Sequence, residues 1–383
     1  MTKKSSLFIF LCIVSTASAQ YFSYSTGVKP TLVIRAQFLD IASTLDYSTA
    51  SRQMDLVSTR LANTSYGKTS LNSTITTKIY RLPHRASYYA NIPEWGACDA
   101  IARDAFTLAQ VQYDLTTFER FVIHFPSLQN QGTEGIATGS KIFFNSGVSH
   151  SQWTNFNGSW FVVSFMNGDF GVGLTLHELG HTYFAGHPTS VHTTLGHSSL
   201  WQVSDGNPIS PDGQISEWGD KYSPMGNLSH SNNTVLDFPP SMKVQLGWMP
   251  SSKVLTVTAS GTYRVYRFDT LTPSLPVAGP LALKIKKDSN KTYWIGIRRA
   301  FTSNASMSNG AYIVWKMPVV NAYMGTRQYS VLLDCSTPGI STEDAALGIG
   351  KSLVDVPAGI TITPVREGGT APNQWMDIRI RKY

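Results

Sequence analysis

The stretch after Trp248 constrains the fold more than any other part of the chain. It contains "KVLTVTASGTYRVYRFD", "LALKIKKDSNKTYWIGIRRA", "GAYIVWKM", "YSVLLDCS", "GITITPVRE" and "QWMDIRIRK", short alternating runs separated by turn residues, with helical periodicity almost absent. Alternation puts successive side chains on opposite faces, so each run has one apolar face to bury. Repeated strands of this kind bury those faces by packing sheet on sheet, which predicts a β-sandwich.

Upstream the texture is mixed. Lys29–Asp40 reads as the first strand of a buried sheet, and residues 47–63 as a helix. "TITTKIYRLP" reads as a second strand ending at Pro83. Residues 94–114 carry Ala97, Ile101, Ala105, Leu108 and Val111 at helical spacing. "FERFVIHFP" is a third strand, "GIATGSKIFFNSG" and "GSWFVVSF" continue the strand-and-turn pattern, and "GVGLTLHELGHTYFAG" switches back to helix. The expected class is α+β, with residues 20–250 as a mixed domain and residues 251–383 as an all-β sandwich-like domain.

Residues 1–19 read as a secretory signal: Lys3 and Lys4, an apolar core from Leu7 to Val14, then Ala17-Ser18-Ala19 before Gln20. That core is far shorter than the roughly 20 apolar residues that span a bilayer, and no later stretch is long enough. The expected product is secreted and extracellular, without a membrane span. Asn-x-Ser/Thr sequons at Asn63, Asn72, Asn157, Asn227, Asn232, Asn290 and Asn304 suit that address. Without Cys12, which lies in the leader, Cys98 and Cys335 remain as an even pair that an oxidising compartment could join. The formal charge of +7, which falls to +5 without Lys3 and Lys4 (7 − 2), fits a solvated surface with no specific partner better than one built for acidic matrix or wall polymers, and no basic run is interleaved with aromatics, so no nucleic acid partner is expected. The run between Gln20 and Lys29 leaves little room for an inhibitory prosegment.

The chemistry concentrates in "LHELGHTYFAGHPTSVHTTLGHSSLW", which holds His177, His181, His187, His192 and His197. His177 and His181 are four apart, so on a helix their imidazoles share one face, and neutral imidazole is a good zinc ligand. Glu178 is rotated by about 100° on such a helix and suits a general base better than a ligand. His187 is the best third ligand. It lies too far along to continue the same face, and Gly186 and Pro188 supply the helix break. His192 and His197 follow in a Ser/Thr/Gly-rich loop, where histidines are more often solvated than ligating. Downstream, "EWGDKYSPMGN" places Met225 in a tight turn between Pro224 and Gly226.

These segments make the chain resemble the gametolysin family of secreted zinc metallopeptidases, within the metzincins. The match runs in order through "TLVIRAQFLD", "SYGKTSL", "HELGHTYFAGH", "EWGDKYSPMGN", "MKVQLGWM" and "LLDCSTPG", from Lys29 to Gly339. The resemblance implies a metzincin-like catalytic domain, a twisted sheet with helices and a zinc cleft. It implies Zn2+ held by His177, His181 and His187, Glu178 as general base, and Met225 packing beneath the histidines. It implies a zinc endopeptidase acting on extracellular matrix or cell-wall (glyco)proteins. Tyr222, three residues before Met225, is a candidate to support the developing oxyanion. Phe184 departs from the metzincin pattern, which has glycine there, so the turn toward His187 must form elsewhere.

Two other readings use the same residues differently. Glu217 could replace His187 as third ligand, as in gluzincin-type peptidases. Alternatively the chain could be an inactive glycan- or matrix-binding protein, with glycan contact through its C-terminal domain.

Overall fold

The computed structural model describes residues 24–93, 95–132, 144, 149–184, 196–226, 236–276, 278–321, 325–336 and 342–383. The leader, His187, His192, Asn227, Asn232 and nearly all of "GIATGSKIFFNSG" lie outside the described residues.

Among the described residues the N-terminal part is a five-stranded sheet. It comprises β1 (Gly27–Gln37), β2 (Thr69–Arg81), β3 (Arg120–Phe125), β4 (His150–Phe156) and β5 (Ser159–Asn167), in the order β2-β1-β3-β5-β4. The pairs β1–β2, β1–β3 and β3–β5 are parallel, and β4 returns antiparallel to β5 at one edge. That return is made at Asn157-Gly158, where both residues have positive φ (53° and 83°), as a two-residue hairpin turn requires.

Helices cover both faces. They are α1 (Tyr47–Thr64), α2 (Ala86–Ala90), α3 (Trp95–Ala109), α4 (Val172–Phe184) and α5 (Pro240–Gln245). Asp46 starts α1 by accepting the Thr49 N–H at 2.8 Å. Strand alternation splits β1 between two cores. Leu32 and Ile34 join Ile101, Ala105 and Phe106 of α3, while Val33 joins Met54, Val57 and Leu61 of α1 and Leu176 and Leu179 of α4. Each large apolar side chain taken from water contributes about 1.5–3 kcal/mol. That outweighs the tenths of a kcal/mol separating most helix propensities, so packing decides where the helices lie. The third helix stops at Ala109, short of the expected residue 114. Val111 therefore leaves the apolar face and is 87% exposed.

The C-terminal part is built from two sheets. Its strands are β6 (Ser198–Gln202), β7 (Gln214–Ser216), β8 (Val254–Thr256), β9 (Gly261–Tyr266), β10 (Ala282–Lys286), β11 (Thr292–Ile297), β12 (Ala311–Asn321), β13 (Gly325–Leu333), β14 (Leu353–Asp355), β15 (Ile360–Gly368) and β16 (Trp375–Lys382). The short helix α6 (Ala305–Asn309) lies before β12. The orders are β7-β6-β13-β12-β11-β10-β8 and β14-β15-β16-β9. One core joins them face to face, with Leu283, Tyr293, Ile295 and Trp315 from the first and Ile362, Met376 and Ile378 from the second.

The expected division at Pro250 does not separate the sheets. Both β6 and β7 precede it in sequence, yet Ser198–Trp201 of β6 pair in parallel with Ser330–Leu333 of β13. A buried polar knot also ties the two halves. Lys243 Nζ donates to Asp237 Oδ2 at 2.7 Å, to the Tyr66 hydroxyl at 3.2 Å and to the Phe268 carbonyl at 3.4 Å. Cys98 is a core-facing residue of α3, Cys335 borders the sandwich core, and both are free thiols, so the pairing left open from the sequence is not formed. No helix among the described residues is long and apolar enough to cross a membrane.

Candidate metal centre

Helix α4 is apolar on nearly all sides and is buried from Thr175 to Phe184. His177 and His181 fall on one face of it, as their spacing requires. Their rings lie 4.7 Å apart, centroid to centroid, and nearly perpendicular, with the two Nε2 atoms 3.1 Å apart. Two imidazole nitrogens so close share either a proton or a cation. The separation is near the roughly 3.3 Å between two nitrogens bound tetrahedrally at 2.0–2.1 Å from zinc.

The His177 ring is fixed from behind. Its Nδ1–H donates to the Pro224 carbonyl at 2.7 Å, which leaves Nε2 with its lone pair facing His181. Burial pushes His177 down to about 4, so it is neutral near pH 7, as a ligand must be. Met225 is fully buried beneath α4, and Gly180, between the two histidines, allows that approach: a Cβ there would collide with Met225 Sδ.

The segment 220–226 is held by many bonds. Asp220 is fully buried, and its carboxylate accepts from Tyr222 N at 3.0 Å, from Ser198 Oγ at 2.7 Å and from the Tyr312 hydroxyl. Ser198 N donates to the Met225 carbonyl at 3.0 Å, and Gly226 N to the Ser223 carbonyl at 3.0 Å. Gly226 presses so closely on the Asp220 carbonyl that no side chain fits. Burial raises the Asp220 carboxyl above its usual range, while the hydroxyls of Tyr312 and Ser198 pull it back.

Glu178 turns toward the edge hairpin. Its Oε2 lies 2.9 Å from Ser151 Oγ on β4, and that hydroxyl is also 2.8 Å from the Glu178 carbonyl oxygen. Ser164 Oγ lies 2.9 Å from the same hydroxyl, and since a hydroxyl has one proton, Ser151 donates to only one of these three oxygens at a time. Burial pushes Glu178 up to about 8, although the bond to Ser151 lowers it. The group therefore holds a proton near neutrality unless positive charge is placed beside it.

The other candidates divide. Phe184 is the last residue of α4 and is still helical, its ring centroid 6.4 Å from that of Phe238, and His187 lies outside the described residues. His197 is not a solvated loop residue. It is buried directly before β6, stacked on Tyr329 at 4.8 Å and lying 5.8 Å from the His181 ring. The pairing of β6 with β13, distant in sequence, puts it there. The only local hint was the run "SSLW" directly after it. The Tyr222 hydroxyl is taken up elsewhere, donating to the Thr342 carbonyl at 2.5 Å and accepting from Asn304 Nδ2 at 3.2 Å, so the oxyanion role expected for it finds no support here. Glu217 is exposed after β7. Among the described residues no three His, Cys, Asp or Glu side chains are disposed to hold a metal ion. The third nitrogen expected from His187 lies outside them.

No protein-family model matches the chain, and no curated protein matches it.

Proposed function

We propose that the chain is a secreted zinc-dependent endopeptidase with a metzincin-like catalytic domain and zinc cleft. One observation carries the reading: His177 and His181 converge through Nε2 while the Pro224 carbonyl holds His177 Nδ1 above Met225. Donor chemistry, tautomer and spacing all suit zinc, and His187 supplies the third ligand by its place in the motif. Zinc bound there supplies Lewis acidity to a peptide carbonyl and to water.

The residues of the chain do the rest. His177 is kept neutral by burial and oriented by Pro224, so no proton competes for its Nε2. Glu178 is the proton carrier, taking a proton from water at its carboxylate and releasing it to the leaving amine. Its high affinity for a proton without a nearby cation matches a base whose ionised form depends on charge at the adjacent imidazoles. Ser151 offers that carboxylate a hydroxyl in either state. Strand β4 lies beside α4 with one edge unpaired among the described strands, which suits an extended peptide. Matrix or cell-wall (glyco)proteins are the substrate class, following the gametolysin resemblance. Glycan contact is assigned to the C-terminal sheets.

Cleavage of denatured protein by wild type and by Glu178→Ala, each with zinc content measured, tests this. The expected result is one bound zinc in both and loss of cleavage in the variant by a factor of about 10²–10⁴. Equal cleavage by the two proteins refutes it.

A further inference from the structure

The metal helix does not carry its own tautomer control. His177 is oriented by the Pro224 carbonyl. The segment bearing that carbonyl is braced from within by Gly226 N on the Ser223 carbonyl at 3.0 Å and Met225 N on Ser223 Oγ at 3.2 Å. Its two ends are tied in addition to one residue of the C-terminal sheet. At one end Asp220 N donates to the Ser198 carbonyl at 3.3 Å, and Asp220 Oδ2 accepts from Ser198 Oγ at 2.7 Å. At the other, Ser198 N donates to the Met225 carbonyl at 3.0 Å. Tyr312 on β12 adds its hydroxyl to the same carboxylate oxygen, and Tyr222 N occupies Oδ1. A carboxylate with no exposed surface thus gathers the turn, β6 and β12 into one joint.

We propose that Asp220 is a positioning residue of the metal centre, through which the C-terminal sheet holds His177 in its ligating tautomer. The inference rests on the zinc reading above. It makes the C-terminal sheets part of the metal-binding apparatus rather than an appended module. A turn loosened at Asp220 lets the Pro224 carbonyl swing away from Nδ1. The proton can then sit on Nε2, where it blocks the ligand position.

A matched pair of substitutions separates positioning from general stability. Tyr312 and Tyr293 are both buried tyrosines of the same sheet, each donating to a buried aspartate: Tyr312 to Asp220, and Tyr293 to Asp355 at 2.7 Å. Only the first aspartate touches the metal side. Zinc affinity is measured by chelator competition, with the d–d spectrum of the cobalt-substituted protein and the thermal midpoint alongside. Tyr312→Phe is expected to weaken zinc about tenfold and shift the cobalt bands. Tyr293→Phe is expected to lower the midpoint and leave both metal readouts unchanged. Asp220→Asn keeps an acceptor for Tyr222 N and an amide for the two hydroxyls, so it should retain most of the affinity that Asp220→Ala loses. If Asp220→Ala does not fold, the tyrosine pair still decides. Wild-type metal binding with Tyr312→Phe indistinguishable from Tyr293→Phe in both metal readouts overturns the inference alone. A wild type that takes up neither zinc nor cobalt overturns the zinc reading, and the inference with it.

Discussion

Gly180→Ala has opposite expected signs depending on what surrounds it. In an exposed helix the change stabilises by about 1 kcal/mol, because alanine loses less backbone freedom on folding than glycine. Here the new Cβ would meet Met225 Sδ, with the Phe238 ring edge also in contact. Met225 is fully buried and cannot swing into solvent, and its methyl already faces Gly196. Overpacking of this kind costs about 1–3 kcal/mol. The net expectation is destabilisation of roughly 1 kcal/mol, a fall of about 2–4 °C in the thermal midpoint. The Pro224 carbonyl is displaced with Met225, so zinc affinity should fall too. A second background makes the test sharp. With Met225→Ala already in place the obstacle is gone, and Gly180→Ala should then stabilise by about 1 kcal/mol. Thermal unfolding of the four proteins in the cycle reads both signs. Stabilisation by Gly180→Ala in the wild-type background, or the same sign in both backgrounds, refutes the packing assigned to Met225.

Further outcomes follow from buried groups elsewhere. Burial pushes His150, beside Trp95, down to about 3, so the folded state keeps it neutral where the unfolded chain, near 6.5, binds a proton. Stability should therefore fall as pH drops from 6.5 toward 3, by about 1.4 kcal/mol per unit from this group; His150→Phe should flatten that slope in melts across the range, and an unchanged slope would contradict it. Cys98 and Cys335 should resist thiol reagents in the native protein and both react after unfolding, since burial also raises both thiols; a mass spectrum with the two linked would contradict this. Asn304 Nδ2 donates to the Glu343 carbonyl at 2.6 Å while its Oδ1 caps α6 at Met307 N, so glycopeptide mapping of protein expressed through a eukaryotic secretory pathway should find this sequon bare. Asn157, exposed at the β4–β5 turn, should carry glycan in the same map.

Local chemistry was readable from sequence wherever it depended on neighbours along the chain. The four-residue spacing of His177 and His181 determined a shared helix face. Alternation after Trp248 determined paired strands, and residues 47–63 read as the helix that α1 is. Strand β4 could have been found through Asn157-Gly158, a hairpin signal flanked by "HSQWTNF" and "SWFVVSFMN". The end of α3 and the exposure of Val111 could not, because a helix stops where its packing partners do.

Tertiary structure alone decided the surroundings of the histidines. Nothing near His177 in sequence predicts that the carbonyl of Pro224 will hold its ring, or that Asp220 and Tyr312 will hold that carbonyl's loop. Nor does a loop-like "TTLGHSS" announce that parallel pairing of β6 with β13 buries His197 beside His181. Periodicity and motif spacing record contacts within a few residues along one chain segment. Tautomers, buried carboxylates and stacked rings depend on distant segments packing at a shared face, and only the folded chain brings those together.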